Sequence, residues 1–379
     1  MSENHFLVSD CLKLGFGLMR LPREGSGDAG HAPIDIEQTK KMVDEFIAAG
    51  GKYFDTAYIY TGSEEAAREA LCGRYPREAY YLASKLNAAP VFCKSAEEAK
   101  AELQISLERT GAGYFDFYLL HGIDEDNLAI YDSYGLWDFV QEAKKEGLIR
   151  HVGFSYHDNP EFLDHVLTGH PEIEFVQLQI NYADWNDAVV ASKGVYDVAV
   201  KHGTPVVVME PVKGGLLADP PQPVREILTR ANPEVSPASW AIRFAASLPN
   251  VMMVLSGMSS EEQMKDNLAV MKDFRPLSEL ELKVVGQART TLNGIDQIPC
   301  TGCHYCTGGC PVEMHIPEIF SVMNVYKMYG DLQRAKADYG WRPGGSKASA
   351  CVGCGQCEGA CPQHLPIISL LQEVAKTLE

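Results

Sequence analysis

Eight of the eleven cysteines lie within the last eighty residues of this 379-residue chain, and they repeat one spacing twice. The two runs are Cys300-x2-Cys303-x2-Cys306-x3-Cys310-Pro311 and Cys351-x2-Cys354-x2-Cys357-x3-Cys361-Pro362. Clustered thiols of this kind are typical of metal ligands, and a segment this short has little hydrophobic core of its own. The end of the chain is therefore expected to fold around metal centres.

The doubled run, with each copy ending in Cys-Pro, resembles the cysteine pattern of bacterial ferredoxins that hold two iron–sulfur cubes. In such a protein three cysteines of one run bind one cube, and the fourth cysteine crosses to the other cube. The resemblance assigns the eight cysteines to two [4Fe-4S] clusters, Cys300, Cys303, Cys306 and Cys361 for one and Cys310, Cys351, Cys354 and Cys357 for the other.

Two other uses of these cysteines are less consistent with the sequence. Zinc ribbons also contain Cys-x2-Cys pairs, but they do not need a third and fourth cysteine followed by proline in both halves. A disulfide framework is expected in secreted proteins, and the sequence begins without a signal peptide. The other three cysteines, Cys11, Cys72 and Cys93, are scattered and are interpreted as ordinary free thiols.

Charge and hydropathy restrict the partners and the location. The formal net charge of −18 argues against a nucleic-acid surface and against anionic membranes. No apolar run approaches the roughly 20 residues that a membrane-spanning helix needs. These features predict a cytoplasmic protein in a reducing environment, with no nucleic-acid or membrane partner.

Residues 12–270 alternate short apolar runs with longer amphipathic stretches, which indicates repeated strand–helix units. Strands are predicted near 12–18, 52–55, 80–85, 115–121, 149–154, 175–180, 205–209 and 252–256. Helices are predicted at Ile36–Ala49, Glu64–Leu71, Ala96–Arg109, Leu136–Glu146 and Pro237–Ser247. Eight such units favour an α/β TIM (β/α)8 barrel. An open Rossmann sheet would need a G-x-G-x-x-G turn, and the first strand carries only Gly15-Phe16-Gly17.

The chain is therefore expected to have two domains. Residues 1–285 would form the barrel, and residues 286–379 would form a linker helix and a small α-helical, ferredoxin-like iron–sulfur domain. With 46% hydrophobic residues the chain can bury a core of barrel size.

Polar side chains close three successive predicted strands. Asp55 ends the second strand, Lys85 ends the third and His121 ends the fourth, while Tyr60 follows Asp55 in the next loop. Burying such groups is costly unless they face one another. In a TIM barrel the C-terminal strand ends carry the chemistry, so these residues are the candidate catalytic group.

The motif Asp55-Thr56-Ala57-x-x-Tyr60, followed by Lys85 and His121, resembles the aldo-keto reductase family over about residues 12–275. The cysteine-rich tail is similar to the ferredoxin-bearing branch of that family. The resemblance implies an Asp/Tyr/Lys/His tetrad in which Tyr60 donates a proton to a carbonyl that accepts hydride. Lys85 would ease that proton release, Asp55 would hold Lys85, and His121 would orient the carbonyl.

The same resemblance implies a nicotinamide nucleotide site. Ser155, Gln177 and Asn181 would lie around the nicotinamide. The phosphates would lie near the loops after the seventh and eighth strands, at Lys213, Gly257, Ser259, Gln263 and Asn267. Members that prefer NADPH commonly have Lys and Arg where this chain has Gly257 and Gln263. The choice between NADH and NADPH therefore stays open.

The favoured function is an oxidoreductase that reduces an aldehyde or ketone, or oxidises the alcohol, with NAD(P)H, and that carries two [4Fe-4S] clusters. The alternative is an electron-transfer iron–sulfur protein that uses the barrel as a scaffold and works with a redox partner protein. A third hypothesis is a regulatory or structural iron–sulfur protein. A bound flavin, which would join two-electron hydride chemistry to one-electron clusters, stays an open alternative that no convincing motif indicates, since the phosphate loops of a TIM barrel could host one.

Overall fold

The structure is a computed structural model that describes residues 7–8, 11–25, 32–90, 92–187, 190–330, 332–340 and 343–379. It divides into two compact units. The first comprises Met1–Val212 and Ala238–Leu282, and the second comprises Lys213–Pro237 and Lys283–Glu379. The expected division after residue 285 kept 213–237 with the barrel, whereas here that segment groups with the second unit.

The first unit is a closed barrel of eight parallel strands in sequential order, with β1 paired to both β2 and β8. The strands are β1 Leu14–Gly17, β2 Tyr53–Asp55, β3 Tyr81–Leu86, β4 Phe115–Ile123, β5 Ile149–Tyr156, β6 Phe175–Gln179, β7 Val206–Met209 and β8 Val251–Ser256. The predicted barrel is confirmed, because a doubly wound sheet would leave two open edges.

Fifteen α-helices accompany the strands in the described residues. Up to the eighth strand they are α1 Ile36–Ala48, α2 Ser63–Ala67, α3 Ala96–Thr110, α4 Leu128–Ser133, α5 Leu136–Lys145, α6 Pro160–Gly169, α7 Ser192–His202, α8 Gln222–Ala231 and α9 Pro237–Ala246. After it come α10 Glu261–Met271, α11 Glu279–Asn293, α12 Ile316–Tyr329, α13 Leu332–Tyr339, α14 Gln356–Gly359 and α15 Ile367–Leu378. None of them is both long and apolar enough to cross a membrane.

Local sequence signals explain where several helices begin. Asp35 caps α1 by accepting a hydrogen bond from the amide of Gln38 at 2.9 Å, and Asn159 caps α6 in the same way, with Pro160 at the first helical position. Such caps satisfy backbone donors that the first helical turn leaves unpaired. α3 ends at Gly111, whose positive φ of 64° suits a residue without a Cβ. The predicted helix Glu64–Leu71 is α2 followed by a π-helical turn at Arg68–Cys72.

The barrel interior is filled by side chains rather than open. One buried cluster consists of Tyr53, Ala83, Phe117, Leu119, Phe175, Val207, Met252, Met253 and Leu255. Gly153 on β5 is required by this packing, because a Cβ there would lie 2.6 Å from the Phe175 ring. A filled interior leaves the strand ends as the place for polar chemistry.

The second unit has a small core that includes two of the repeated cysteines. Its buried residues are Ile298, Cys306, Met314, Ile316, Ile319, Phe320, Val322, Met323, Ala335, Tyr339, Ala348, Cys357, Leu365, Ile367, Leu371, Val374 and Leu378. The Asn324 side chain exchanges two 2.7 Å hydrogen bonds with the backbone of Ile298. These bonds fasten the segment before the first cysteine run onto α12.

Candidate active site and cysteine-lined cavities

The central feature of the barrel's C-terminal end is a buried ion pair. Lys85 Nζ lies 2.7 Å from Asp55 Oδ1 and donates a second 2.7 Å hydrogen bond to the carbonyl of Thr56. β2 and β3 are neighbours in the barrel, so their C-terminal ends bring the two side chains together. Lys85 is completely buried. The pair therefore interacts with little screening by water.

Burial opposes the charge on both members of this pair. It raises the pKa of Asp55 and lowers the pKa of Lys85, and in each case the opposite charge of the partner works against the shift. The second carboxylate oxygen, Asp55 Oδ2, is buried and has no hydrogen-bond partner within the described part of the chain. Each charge therefore depends on the other.

Tyr60 and His121 lie beside the pair. Lys85 Nζ is 4.9 Å from the centroid of the Tyr60 ring. The rings of Tyr60 and His121 have centroids 5.8 Å apart at an angle of 82°. Burial, with Lys85 and His157 nearby, holds the pKa of His121 well below its usual 6.5, so the imidazole is neutral at pH 7. The structure thus brings together all four residues that the sequence singled out at the strand ends.

Sequence reasoning missed two buried carboxylates behind this group. Glu64, at the start of α2, accepts a 2.7 Å hydrogen bond from Ser84 next to Lys85, and Arg109 lies 3.3 Å from its other oxygen. Glu102 on α3 accepts a 2.7 Å hydrogen bond from the amide of Asn87. Burial raises the pKa of Glu102 to about 8. The burial of both residues could not be seen in the amphipathic helix patterns, because acidic residues on such helices usually lie on the exposed face.

Two of the predicted nicotinamide contacts lie side by side on adjacent strands. Ser155 on β5 pairs in register with Gln177 on β6. The Ser155 hydroxyl accepts a 2.7 Å hydrogen bond from the amide of Gly122, which follows His121. Gln177 Nε2 lies 3.7 Å from the sulfur of Met209, while Gln177 Oε1 is buried without a hydrogen-bond partner among the described residues. A buried acceptor of this kind suits the amide hydrogens of a carboxamide.

Asn181, the third predicted nicotinamide contact, is already engaged. Its Nδ2 donates to Asp184 Oδ2 at 2.8 Å and to the carbonyl of Glu210 at 3.3 Å, and its Oδ1 accepts from the amide of Asp184 at 2.9 Å. The side chain is completely buried. It shapes the loop after β6 through these bonds.

Four of the predicted phosphate contacts follow β8: Gly257 and Ser259 lie in the loop, and Gln263 and Asn267 lie on α10. The amide of Ser259 donates to Gln263 Oε1 at 2.7 Å, and the Ser259 hydroxyl donates to the carbonyl of Arg20 at 2.6 Å. Asn267 is buried and donates to the hydroxyl of Ser256 at 2.8 Å. These bonds fix the loop against the start of α10. Gln263 and Asn267 act in the structure as supports of this loop.

A cation that the sequence analysis did not identify lies at this loop. A Cβ at Gly257 would lie 3.5 Å from Cβ of Arg20 and 3.8 Å from its Cδ, so the Arg20 side chain runs along Gly257. Arg20 follows β1 and lies 3.7 Å from Glu210. The sequence offered one signal for Arg20, namely its position just after the first strand, since the loops that follow the strands of a TIM barrel carry the active site.

Lys213, the remaining predicted phosphate contact, falls in the second unit. It is buried and has a positive φ of 47°. The next residue, Gly214, packs against the backbone of Thr301, and a Cβ there would lie only 2.2 Å from the Thr301 carbonyl oxygen. Within the second unit, Gly214 is therefore packed against the start of the first cysteine run.

The second unit contains two cavities, each of which is lined by four of the repeated cysteines. The first cavity is lined by Cys300, Cys303, Cys306 and Cys361. The second is lined by Cys310, Cys351, Cys354 and Cys357. Ile316 lines both cavities and separates them. The crossing of Cys310 and Cys361 between the two runs is thus present in the fold.

The thiols within each cavity influence one another. Burial, with Cys303 and Cys361 nearby, raises the pKa of Cys300 to about 12. Burial and the nearby Cys351 likewise raise the pKa of Cys357 to about 11. Four thiolates cannot share such a cavity without a cationic centre, because each negative charge disfavours the next.

A closed barrel of eight parallel strands, with titratable side chains at the C-terminal strand ends, defines the first unit as a TIM-barrel enzyme fold. A model of the aldo/keto reductase family matches residues 13–289, and a model of the 4Fe-4S dicluster domain matches residues 299–365. The chain belongs to the aldo/keto reductase family and carries a C-terminal 4Fe-4S dicluster domain.

Curated relatives agree with this assignment over the barrel, and solved structures share its fold. An aldo-keto reductase of Mycobacterium sp. (strain MCS) is 25% identical over 269 residues, covering 71% of this chain and 86% of the relative. Aldo-keto reductase family 1 member C21 of Mus musculus is 26% identical over 304 residues, covering 70% and 87%. The holo form of a Bacillus halodurans aldo-keto reductase has a TM-score of 0.55 at 24% identity, covering 73% and 91%. A Klebsiella pneumoniae aldo/keto reductase in complex with NADP and acetate has a TM-score of 0.56 at 21% identity, covering 74% and 95%.

Proposed function

We propose that this chain reduces an aldehyde or ketone, or oxidises the corresponding alcohol, with NAD(P)H at the barrel's C-terminal strand ends. The observation that carries the proposal is the buried pair of Lys85 and Asp55 with Tyr60 and His121 beside it. A buried ammonium next to a phenol has a clear use in proton transfer to a reacting carbonyl.

Each residue of the group has a role that follows from its surroundings. When bound, the nicotinamide supplies or accepts a hydride. Tyr60 donates a proton to the carbonyl oxygen as negative charge develops there, because Lys85 stabilises the phenolate that remains. Asp55 keeps Lys85 charged and oriented by the 2.7 Å ion pair. His121 is neutral, so its imidazole can orient the carbonyl by hydrogen bonding without competing as a proton donor.

Nucleotide binding is supported by the chain's own residues. Gln177 and Ser155 occupy adjacent strand ends, and the buried Gln177 Oε1 can accept from a carboxamide. Arg20 and the loop Gly257–Ser260 would lie at the phosphates, where a guanidinium and the amides at the start of α10 suit anionic oxygens. The Klebsiella pneumoniae structure with NADP is a parallel for this use of the fold.

For the second unit we infer two [4Fe-4S] clusters, one in each cavity. Among the described residues no group of three or more His, Cys, Asp or Glu side chains converges on a single metal ion. A structural zinc site needs four ligands about 2.0–2.3 Å from one ion. The cysteines instead line two cavities in sets of four, an arrangement that suits a cube held at four corners. Such clusters pass one electron at a time.

Replacement of Tyr60 tests the carbonyl reductase. Tyr60→Phe removes the proton donor and keeps the ring, so we expect kcat with an aldehyde and NAD(P)H to fall by about 10²–10⁴-fold. Nucleotide affinity and cluster absorbance should stay unchanged. Tyr58→Phe, in the same loop, is the matched control and should retain activity. Full activity of Tyr60→Phe would refute the proposed mechanism.

A second candidate function is electron transfer by the dicluster unit, with the barrel serving as a scaffold. The two cysteine-lined cavities favour it. An anaerobic titration with NADH and then NADPH, followed by visible absorption and the EPR signal of reduced clusters, separates the two functions. Aldehyde-dependent nucleotide oxidation supports the reductase. Cluster reduction by a protein carrier, with no turnover of any aldehyde or ketone, supports the alternative.

A further inference from the structure

A carboxylate lies behind the strand that carries Lys85, on the side away from the barrel interior. Ala83 belongs to the interior cluster, and successive residues of a strand point to opposite faces, so Ser84 points outward toward the helices. Its hydroxyl donates a 2.7 Å hydrogen bond to Glu64, which follows the Tyr60 loop in α2. Glu64 is only 1% exposed. Taking a carboxylate out of water is costly, so a buried charge beside a candidate site is itself a candidate for a role there.

Arg109 links Glu64 to the loop that carries Tyr60. Its Nη1 lies 3.3 Å from Glu64 Oε2 and donates a 3.1 Å hydrogen bond to the carbonyl of Tyr58. The guanidinium also lies 4.5 Å from the centroid of the Tyr58 ring. On its other side, Tyr58 donates its amide hydrogen to the carbonyl of Lys85 at 3.2 Å. The backbone two residues before Tyr60 is therefore held between Arg109 and the strand of Lys85.

The far end of the same loop is closed just before Glu64. The hydroxyls of Thr56 and Ser63 lie 2.7 Å apart, and both residues are buried. The amide of Ser63 donates a 3.0 Å hydrogen bond to the carbonyl of Tyr60. Tyr60 thus sits on a short closed loop that Glu64 fastens from behind. A displacement of Glu64 would move this loop and the phenol with it.

Glu64 also contributes to the charge balance around Lys85. Burial lowers the pKa of Lys85, while the negative charges of Asp55 and then of Glu64 raise it. Burial raises the pKa of Asp55 as well, so Glu64 is a second source of negative charge that keeps the ammonium protonated. The charged and titratable groups around Lys85 are Asp55 from β2, Tyr60 from the loop after it, Glu64 from α2 and His121 from β4, with Glu102 and Arg109 of α3 behind the strand.

We propose that Glu64 is a positioning residue for the reaction, because it fixes the loop of Tyr60 through Arg109 and supports the ammonium of Lys85 from behind β3. This role deepens the proposed carbonyl reduction and rests on it. Glu64 lies on the outer side of the barrel wall, so it acts through Tyr60 and Lys85 rather than on the substrate. A carboxylate with a purely structural role would fasten α2 to β3 in the same way, but its charge would not affect the pH at which activity is lost.

The test measures kcat of the full chain with an aldehyde and NAD(P)H as a function of pH. Glu64→Gln keeps the size of the side chain and an oxygen for Ser84 but removes the charge. We expect kcat near pH 7 to fall by about tenfold to 100-fold, because a small displacement of the proton donor slows the reaction strongly. We also expect the alkaline limb of kcat, where Lys85 loses its proton, to move to lower pH. KM for the nucleotide should stay unchanged.

Two further variants separate charge from packing. Glu64→Asp keeps the charge but withdraws it by one methylene, so kcat should fall while the alkaline limb stays near that of wild type. Glu65→Gln removes the neighbouring carboxylate, which is 54% exposed and lies 3.5 Å from Arg109. Since an exposed charge is screened by water, this control should keep both the kcat and the limb of wild type. Circular dichroism establishes that each variant is folded.

Wild-type kcat and an unmoved alkaline limb in folded Glu64→Gln would overturn the proposal. An equal loss of kcat in Glu64→Gln and Glu64→Asp, with the limb unmoved in both, would also overturn it, since packing alone would then explain the loss. If Glu64→Gln does not fold, wild-type kcat in Glu64→Asp decides against the proposal. Failure of the carbonyl reductase itself looks different, because the wild-type chain would then oxidise no NAD(P)H with any aldehyde or ketone.

Discussion

The ammonium of Lys85 lies 2.7 Å from the carboxylate of Asp55, and neither side chain is more than 5% exposed. The two residues lie at the ends of adjacent strands and are 30 positions apart in the sequence. The net contribution of such a pair to folding stability is small, because removing both charges from water costs about as much free energy as their attraction returns. Each charge nevertheless neutralises the other, so the loss of one leaves an uncompensated buried charge.

A double-mutant cycle on this pair should show strong coupling. Asp55→Asn and Lys85→Met each leave one buried charge without its partner, so we expect each to lower the free energy of unfolding by about 3–5 kcal/mol. The double variant should recover most of that loss. Urea unfolding followed by circular dichroism measures it. Lys145→Met, which removes a largely exposed partner of Glu142, is the control and should have no measurable effect. Additive losses in the double variant would show that the two charges do not depend on each other.

The buried imidazole of His121 should make the fold sensitive to acid. Its folded pKa lies well below its usual 6.5, so below pH 6.5 the unfolded chain binds a proton that the folded chain does not. Stability from this group is full above pH 6.5 and falls, by up to about 1.4 kcal/mol per pH unit, as the pH drops toward the folded pKa. His121→Asn removes the titration. The difference in unfolding free energy between wild type and variant should therefore shrink from pH 8 to pH 5, and a constant difference would contradict the neutral imidazole.

Glu102 should produce the opposite dependence. Its pKa is raised from 4.5 to about 8 by burial, so between these values the folded chain holds a proton that the unfolded chain has released. Stability therefore falls as pH rises from 4.5 to 8 and stays low above pH 8. Glu102→Gln keeps an oxygen that can accept the hydrogen bond from the backbone amide of Asn87. We expect the melting temperature of this variant to equal that of wild type near pH 5 and to be higher than that of wild type at pH 9. Glu108→Gln, an exposed change on the same helix, should leave both values unchanged. An equal effect of Glu102→Gln at both pH values would show that the carboxyl is ionised throughout.

The strands, the order of Asp55, Tyr60, Lys85 and His121, and the family could be predicted because each rests on local pattern. Hydrophobic runs mark strands, and parallel barrel strands must end on one face. Glu64 and Glu102 could not be predicted, since their burial depends on how α2 and α3 pack behind β3. The hydrogen bonds between Asn181 and Asp184 likewise depend on how the loop after β6 folds. Arg20 was missed because nothing in a Leu-Met-Arg segment distinguishes a site cation from a surface one.

Lys213 shows a different limit. The glycine-rich run after β7 resembles a flexible phosphate loop, and the sequence does not reveal that Gly214 packs against Thr301. Because glycine has no side chain, it allows close packing against another backbone segment as well as close approach of a ligand. Sequence alone therefore cannot separate the two uses of this glycine.

The two neighbouring glycines of that loop provide a matched pair of variants. Both have positive φ, 64° at Gly214 and 101° at Gly215, so alanine is strained at either position. Only Gly214 is packed, because a Cβ there would lie 2.2 Å from the Thr301 carbonyl oxygen, whereas at Gly215 nothing lies within 4 Å. We expect Gly215→Ala to cost about 1 kcal/mol and Gly214→Ala to cost about 1–3 kcal/mol more, measured by urea unfolding. Equal losses would show that strain alone decides both.

The crossing of cysteines between the two runs predicts an unusual pattern of metal loss. Cys361 belongs to the second run by sequence but lines the same cavity as Cys303, whereas Cys354 of the same run lines the other cavity. Cys303→Ser and Cys361→Ser should therefore each remove the same cluster, and the double variant should lose no more iron than either single variant. Combining Cys361→Ser with Cys354→Ser should remove both clusters, because one ligand is lost from each cavity. Iron analysis and EPR after anaerobic reconstitution distinguish these outcomes, and Cys93→Ser, outside both cavities, is the control. If Cys361→Ser combined with Cys354→Ser kept half of the iron while Cys361→Ser combined with Cys303→Ser lost all of it, each run would hold its own cluster, and the crossing would be wrong.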